Sequence, residues 1–145
     1  MEPIHLDTNI FIGLILDQPI SATVRRLQED GNRFACSAVV WSELLNGPCS
    51  QASILAMRAL LEDRIVPFER ADAEIAARLF NATGRKRGLR FDSMIAAQAL
   101  RRGATLLTLN HDDFAPFAPL GLELVSCLSA ELFGIPNSPP EPRRT

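Results

Sequence analysis

The sequence predicts a single α/β domain of three layers, with a mainly parallel sheet between helices. Short apolar segments alternate along the chain with segments of helical periodicity, the order typical of this fold class. The segment 105–109 is almost continuously apolar, as expected of a central parallel strand. The chain has 145 residues, enough for one domain with a real core, and no internal repeat is visible.

The first third of the chain predicts one strand and two helices. Residues 4–6 are mostly apolar and predict a short strand, after which the polar residues 7–9 make a turn. A second apolar segment, 10–16, predicts a short helix. Ser21 is a good cap for the next helix, which has its apolar residues on one face and ends at Gly31.

The middle third continues the alternation of strands and helices. A compact strand at 34–37 ends in a serine that can cap a helix over 38–45. Ser50 begins another helix, in which leucine and isoleucine recur at helical spacing. Residues 65–68 then predict a third strand, and Pro67 suits an edge position because proline cannot donate to a sheet.

The last third contains the most apolar helix. Asp72 is expected to cap a long helix, and after a basic turn the segment 91–102 predicts a helix that must pack against the sheet. The fourth strand follows, then a fifth at 122–125 and a turn of helix at 129–133. Residues 1–135 would form the domain, with 136–145 as a loose proline-rich tail.

Composition narrows the class of protein without assigning a function. The formal net charge is -2 and the pI is about 5.7, so no overall basic field marks a nucleic-acid partner. A metal-binding acid cluster would also lower the net charge. The three cysteines favour neither a disulfide framework nor a zinc site, and no apolar stretch approaches the ~18 residues of a membrane span. We expect a cytoplasmic protein.

Acidic side chains follow the predicted strands at the places where ligands bind in parallel sheets. Asp7 stands at the end of the first strand, and Asp112 and Asp113 follow the fourth. If these two strands are neighbours at a topological switch point, Asp7 meets one of the later acids at a single crevice. The alternatives are that Asp7 only caps a helix and that the later acids are turn residues.

Two more acids are expected on helices beside this crevice. Glu43 is the one charge in an otherwise apolar helix, although it could simply lie on the solvent side. Asp92 opens the most apolar helix, where an acid also suits the helix dipole. Carboxylates held close together repel, and a divalent cation removes that conflict. Ligation by oxygen alone indicates Mg²⁺ or Mn²⁺ rather than zinc, and such a site suits phosphoryl chemistry.

A basic turn precedes Asp92. It could bind the phosphates of a nucleic-acid backbone, although by itself it could equally be a solvated helix end. No aromatic platform or base-reading motif stands out in the sequence. The basic residues are Arg85, Lys86, Arg87 and Arg90.

In this order the motifs resemble the PIN domain, and more narrowly the VapC-type toxins of toxin-antitoxin pairs. The resemblance covers residues 4 to about 133 and rests on four segments: Asp7-Thr8-Asn9, Ser42-Glu43-Leu44, 91–100, and Leu107-Thr108-Leu109-Asn110 with Asp113-Phe114. It implies an endoribonuclease that uses Mg²⁺ or Mn²⁺ and hydrolyses an RNA phosphodiester with an activated water.

The resemblance also implies site residues and partners. Asp7, Glu43 and Asp92 match the first three acids of the family, and Asp113 matches the fourth, with Asp112 as the alternative. Thr8, Asn9 and Asn110 match polar residues that orient the acids or the water. Such toxins commonly form homodimers and are held inactive by a cognate antitoxin, a segment of which lies across the active-site groove.

Two rival functions are open at this point. An aspartyl-phosphate enzyme or receiver domain would need a second acid near Asp7 and a lysine near the phosphate. Position 9 is Asn9 instead, and the one lysine of the chain is Lys86. A non-catalytic RNA- or protein-binding module would keep the fold and lose an acid, but all four acids are present.

Overall fold

A parallel sheet of four strands forms the centre of the computed structural model, which describes residues 2–125. The strands are β1 (Ile4–Leu6), β2 (Phe34–Ser37), β3 (Ile65–Val66) and β4 (Leu106–Leu107). They pair in the order β3-β2-β1-β4, and each pair is parallel. The prediction that the first and fourth strands are neighbours is therefore confirmed.

Seven α-helices are described around this sheet. Crossovers between parallel strands are right-handed. Because β2 and β3 are added on one side of β1 and β4 on the other, helices lie on both faces of the sheet. This arrangement confirms the predicted α/β fold class. Within residues 2–125, no helix combines the length and the hydropathy needed to cross a membrane. The helices are α1 (Thr8–Ile15), α2 (Ile20–Glu29), α3 (Ala38–Asn46), α4 (Gln51–Leu61), α5 (Arg70–Ala82), α6 (Arg90–Arg101) and α7 (His111–Phe114).

The prediction of a fifth strand at 122–125 is wrong. This segment makes one isolated parallel bridge, between Leu124 and Leu106 of β4. The Leu106 N–H donates to the Glu123 carbonyl at 2.9 Å, and the Val125 N–H donates to the Leu106 carbonyl at 3.0 Å. β4 is only two residues long, which leaves little length for further pairing. The helical turn predicted at 129–133, the domain end at 135 and the tail at 136–145 lie outside the described residues.

Three predicted helix starts are also wrong. α1 begins at Thr8, directly after Asp7, rather than at residue 10. α2 begins at Ile20, after Pro19, rather than after Ser21. α5 begins after Glu69, and Asp72 is its third residue, where the Asp72 carboxylate accepts the Glu69 N–H at 2.9 Å. The predicted caps Ser37 and Ser50 are confirmed by hydrogen bonds from backbone N–H groups of the helices that follow them.

Asp72 joins α5 to α6 instead of only capping a helix. Its side chain is fully buried, and it accepts a hydrogen bond from Nε of Arg101 at 2.6 Å. Burial alone would raise the pKa of Asp72, but the hydrogen bonds from Arg101 and from the Glu69 N–H outweigh burial and lower it. The C-terminal end of α6 is thus fixed to α5.

A buried amide fixes the middle of α6 to the sheet. The Gln98 amide donates to the carbonyls of Val66 at 3.1 Å and Pro67 at 3.0 Å, and its oxygen accepts from the Ser37 hydroxyl. Since Gln98 and Ser37 are both buried, these hydrogen bonds are shielded from water. α6 is therefore held against β2 and the end of β3.

Candidate active site

Asp7 is a buried acid at the carboxyl end of β1. Its side chain is 5% exposed, and one carboxylate oxygen accepts the Thr8 N–H at 2.8 Å. The other oxygen accepts from the Thr108 hydroxyl at 2.7 Å and from the Asn9 amide at 3.2 Å. Asp7 is thus the N-cap of α1, as the alternative interpretation held, and also the centre of a hydrogen-bond network that joins β1 to the segment after β4.

Thr108 is a member of this network that the sequence analysis did not select. It is buried, and while its hydroxyl donates to Asp7, the same oxygen accepts the Asn110 N–H at 3.0 Å. These two hydrogen bonds fix the direction of the hydroxyl. The sequence signal for this role was a hydroxyl at the carboxyl end of an otherwise apolar strand. That signal is weak, because threonine is also favoured in strands for its strand propensity alone.

The two polar residues after Asp7 connect it to other elements. The Thr8 hydroxyl donates to the Glu43 carboxylate at 2.8 Å, which joins the start of α1 to α3. The Asn9 side-chain oxygen accepts the Leu109 N–H at 3.1 Å, which joins α1 to the segment after β4. Thr8 therefore holds the Glu43 carboxylate in place, and Asn9 holds the segment after β4 beside Asp7.

Asp92 lies in the first turn of α6 and responds to the other acids. Burial and, in decreasing order, the negative charges of Asp7, Asp113 and Glu43 together raise its pKa to about 7. Burial also raises the pKa of Asp7, against the hydrogen bonds from Thr108, Thr8 and Asn9, and the charge of Asp113 raises it further. Four acids from different elements thus share one electrostatic site.

The two acids after β4 differ in their effect on this site. Asp112 and Asp113 are both exposed on the short helix α7. Asp113 is the one whose charge raises the pKa of both Asp7 and Asp92. Asn110 precedes α7 and is exposed, and it contacts the network through its backbone N–H. This geometry favours Asp113 over Asp112 as the fourth acid.

The basic residues before Asp92 are all exposed. Three of them lie in the turn and the 3-10 segment (Arg87–Leu89) that lead into α6, and Arg90 is the first residue of α6, whose first turn contains Asp92. The guanidinium of Arg90 lies over the ring of Phe80, 5.9 Å from its centroid. The turn therefore presents positive charge at the end of α6 where the acids are. Its members are Arg85, Lys86, Arg87 and Arg90.

The acids fit a hydrated divalent cation better than a tightly held one. All four offer carboxylate oxygens, and their mutual repulsion is what a cation would relieve. Within residues 2–125, no three acid, histidine or cysteine side chains are grouped closely enough to hold a metal ion. Mg²⁺ keeps several water ligands and is commonly bound through one or two carboxylates, which suits acids spaced in this way.

Two grooves open on either side of Glu43. The α1–α3 groove, of about 230 Å³, is mostly apolar. The α3–α6 groove, of about 480 Å³, has apolar walls and exposed Ser42 and Asn46 at its edge. The first is lined by Thr8, Ile12, Ile15, Leu16, Glu43, Leu44, Gly47, Pro48 and Cys49, and the second by Ala38, Val39, Ser42, Glu43, Asn46, Phe68, Phe91 and Met94.

Comparison with known proteins agrees with this geometry. Residues 4–118 match the family described as PIN domain. No curated protein matches the sequence significantly. Similar solved structures include a chain of a toxin-antitoxin complex from Klebsiella pneumoniae, with 25% identity over 77% of this chain and 90% of that one and a TM-score of 0.62.

Two further structures are similar over most of their length. FitAcB from Neisseria gonorrhoeae is 26% identical over 83% of this chain and 95% of that one, with a TM-score of 0.62. DNA-bound VapBC from Salmonella typhimurium is 20% identical over 86% and 97%, with a TM-score of 0.67, which supports the fold alone.

The raised pKa of Asp92 predicts an unusual dependence of stability on pH. The folded protein holds this proton up to about pH 7, whereas the unfolded chain releases it near 3.8, so wild-type stability falls as the pH rises through this interval. In EDTA, Asp92→Asn should be more stable than wild type by about 1–2 kcal/mol at about pH 8, after allowance for solvent screening. The difference should shrink towards zero near pH 4, as measured by urea unfolding.

Glu74→Gln is the control, since Glu74 is an exposed acid on α5 paired with Arg70. Its effect on the free energy of unfolding should be small across this interval. An Asp92→Asn difference that stays constant from about pH 4 to pH 8 would contradict the coupling of the four acids.

Proposed function

The chain belongs to the PIN-domain family, and from this premise we propose that it is a metal-dependent endoribonuclease, the toxin of a toxin-antitoxin pair. PIN-domain toxins are generally nucleases. The observation that carries the proposal is the response of Asp92, whose pKa of about 7 reflects burial and the charges of three other acids. Perturbed acids in a cleft are typical of catalytic sites.

In this proposal Asp7, Glu43, Asp92 and Asp113 are the catalytic acids and would hold Mg²⁺ or Mn²⁺, directly or through its water ligands. When bound, the ion supplies positive charge that lowers the pKa of a water molecule and stabilises the phosphate oxygens. Thr108 and Asn9 hold the Asp7 carboxylate in one orientation, and Thr8 does the same for Glu43. Preorganised groups of this kind need no rearrangement when charge develops on the phosphate.

The chain's own acids also serve proton transfer. In the proposal the carboxylate of Asp92, in the first turn of α6, takes the proton of the attacking water as a general base. The water oxygen forms a bond to phosphorus while the bond to one ribose oxygen breaks. The leaving oxygen receives a proton, which gives one strand with a terminal phosphate and one with a terminal hydroxyl.

The basic turn supplies the substrate-binding part of the proposal. Arg85, Lys86 and Arg87 are exposed beside the start of α6, where they can pair with RNA phosphates next to the bond that is cut. Arg90 packs on Phe80 and contributes charge from a more fixed position. The formal net charge of -2 does not oppose this role, since the acids and the basic turn are both local.

An antitoxin is the proposed protein partner, with the α1–α3 groove as its docking place. Ile12 and Leu16 at this groove are 46% and 63% exposed, an apolar surface that a partner segment would cover. Such a segment would also lie against Thr8 and Glu43 and obstruct the acids. The Klebsiella pneumoniae structure is a toxin-antitoxin complex, which supports this partner. The homodimer and the cytoplasmic location stay predictions.

Cleavage of RNA tests the catalytic proposal. With Mg²⁺ or Mn²⁺ the purified protein should cut a pool of structured RNAs, and EDTA should abolish cutting. Asp7→Asn, Asp92→Asn and Asp113→Asn should each lower the rate at least about 100-fold, because each removes a carboxylate that holds the ion in this proposal. Asp112→Asn is the matched control and should stay near the wild-type rate. A folded wild-type protein that cuts nothing would instead favour the non-catalytic binding module.

The salt dependence of binding tests the basic turn. Lys86→Ala and Arg87→Ala should each weaken binding of single-stranded RNA and reduce the slope of log affinity against log salt by about 0.7, the value for one phosphate contact. Arg70→Ala removes an equal charge from α5, where the side chain is 93% exposed, and should leave the slope unchanged. Equal slopes for all four proteins would exclude this turn from the RNA contact.

Growth of a bacterial host tests the toxin proposal. Production of the wild-type chain without an antitoxin should slow growth, because uncontrolled RNA cleavage stops protein synthesis. Asp7→Asn, produced at the same level, should not slow growth. Equal inhibition by the two proteins would indicate an action that does not depend on the acids.

A further inference from the structure

We propose that the α3–α6 groove is a nucleobase-binding subsite, in which Phe91 stacks on an unpaired base of the RNA beside the bond that is cut. The inference rests on the proposed function and adds to it a specificity-determining residue. It concerns Phe91, Ser42 and Asn46, for which the proposed chemistry has no use. The groove lies between α3 and the N-terminal half of α6, on the side of Glu43 away from α1.

The first argument is the exposure of Phe91. Its side chain is 60% exposed, and among the large hydrophobic residues of 2–125 that are exposed it is the one aromatic residue. The apolar residues that follow it on α6, such as Ile95 and Ala96, are buried. Phe91 therefore presents an aromatic face to water at the start of α6, directly before Asp92. Such a face can stack on a base, and every nucleotide has a base that can stack.

The second argument is the chemistry of the groove around Phe91. Val39, Phe68 and Met94 supply apolar walls, and Ser42 and Asn46 stand one turn apart on α3 at its edge. The Asn46 amide can both donate and accept a hydrogen bond, as the edge of a base requires. The volume of about 480 Å³ lies within the range of small-molecule sites.

The third argument is the position of the groove relative to the acids. Glu43 lines it, and Asp92 follows Phe91 in the chain, so a base in this groove would be attached to a phosphate near the acids. The basic turn leads into the same end of α6, which favours a polyanion as the occupant. The α1–α3 groove lacks this pairing of aromatic face and polar edge, and it suits a protein segment better.

The test compares RNAs that have and lack a base. Single strands of about ten nucleotides, each with one abasic position, are bound to wild type and to Phe91→Ala in EDTA, where cleavage is not expected. At one position, loss of the base should weaken wild-type binding about 5- to 150-fold and should hardly affect Phe91→Ala. A 2-aminopurine at that position should be quenched by wild type and not by the variant.

Two further variants separate stacking from bulk hydrophobicity. Phe91→Trp should keep the preference for a base, since a larger ring still stacks. Leu55→Ala removes a side chain of α4 that is also 60% exposed, and it should behave as wild type. Both proteins, and Phe91→Ala, are checked for folding by circular dichroism, and substitution at so exposed a position should leave the fold intact.

Several outcomes would overturn the inference. The inference fails if Phe91→Ala weakens the binding of intact and abasic RNAs equally, or if it changes the binding of neither. Phe91→Ala could instead change the molar mass in light scattering and leave RNA binding unaffected, which would identify the groove as an interface between copies of the chain. If wild type shows the base effect but cuts no RNA with Mg²⁺ or Mn²⁺, the subsite stands and the nuclease proposal fails. If wild type cuts RNA with Mg²⁺ or Mn²⁺ but shows no base effect at any position, the subsite fails and the nuclease proposal stands.

Discussion

Repulsion between buried and partly buried carboxylates is the constraint on which the rest of this structure depends. Four acids act on one another at the carboxyl edge of the sheet, and burial makes the charges of Asp7 and Asp92 costly. The sequence offsets this cost at Asp7, the most buried of them, with three hydrogen-bond donors from Thr8, Asn9 and Thr108. These same donors join β1, α1 and the segment after β4. The network therefore stabilises the Asp7 charge and also fixes these three parts of the chain relative to one another.

The position of α6 follows from the same constraint. Asp92 is in the first turn of this helix, yet the polar contacts that fix the helix lie further along it, at Gln98 and Arg101. Both contacts are shielded, since Gln98 and Asp72 are buried. A helix anchored at its middle and end can carry an unfavourable charge at its start without moving away. The hydrogen bonds of Gln98 and Arg101 therefore offset the unfavourable free energy of holding Asp92 near the other acids.

The sequence predicted the alternation of elements, the neighbouring first and fourth strands and the acids that meet between them, because these follow from periodicity and strand order. It could not predict Thr108 as a partner of Asp7, since a threonine in a strand is equally well explained by strand propensity. Asp72 was predicted only as a helix cap. Its ion pair with Arg101 could not be predicted, because the two residues are far apart in sequence. The exposure of Phe91 was likewise hidden, since an aromatic residue at the start of an apolar helix is usually core.

Glu43 gives the two grooves a common wall, and this has a thermodynamic consequence under the proposed function. An RNA strand in the α3–α6 groove and an antitoxin segment in the α1–α3 groove would each contact this residue, which Thr8 holds in place. Any shift of Glu43 that favours one occupant changes the free energy of binding for the other, and such coupling is reciprocal. Where the position of Glu43 that favours one occupant disfavours the other, substrate and antitoxin weaken each other's binding by the same factor. Under that condition the antitoxin inhibits without contacting the base subsite, because the two grooves share this wall.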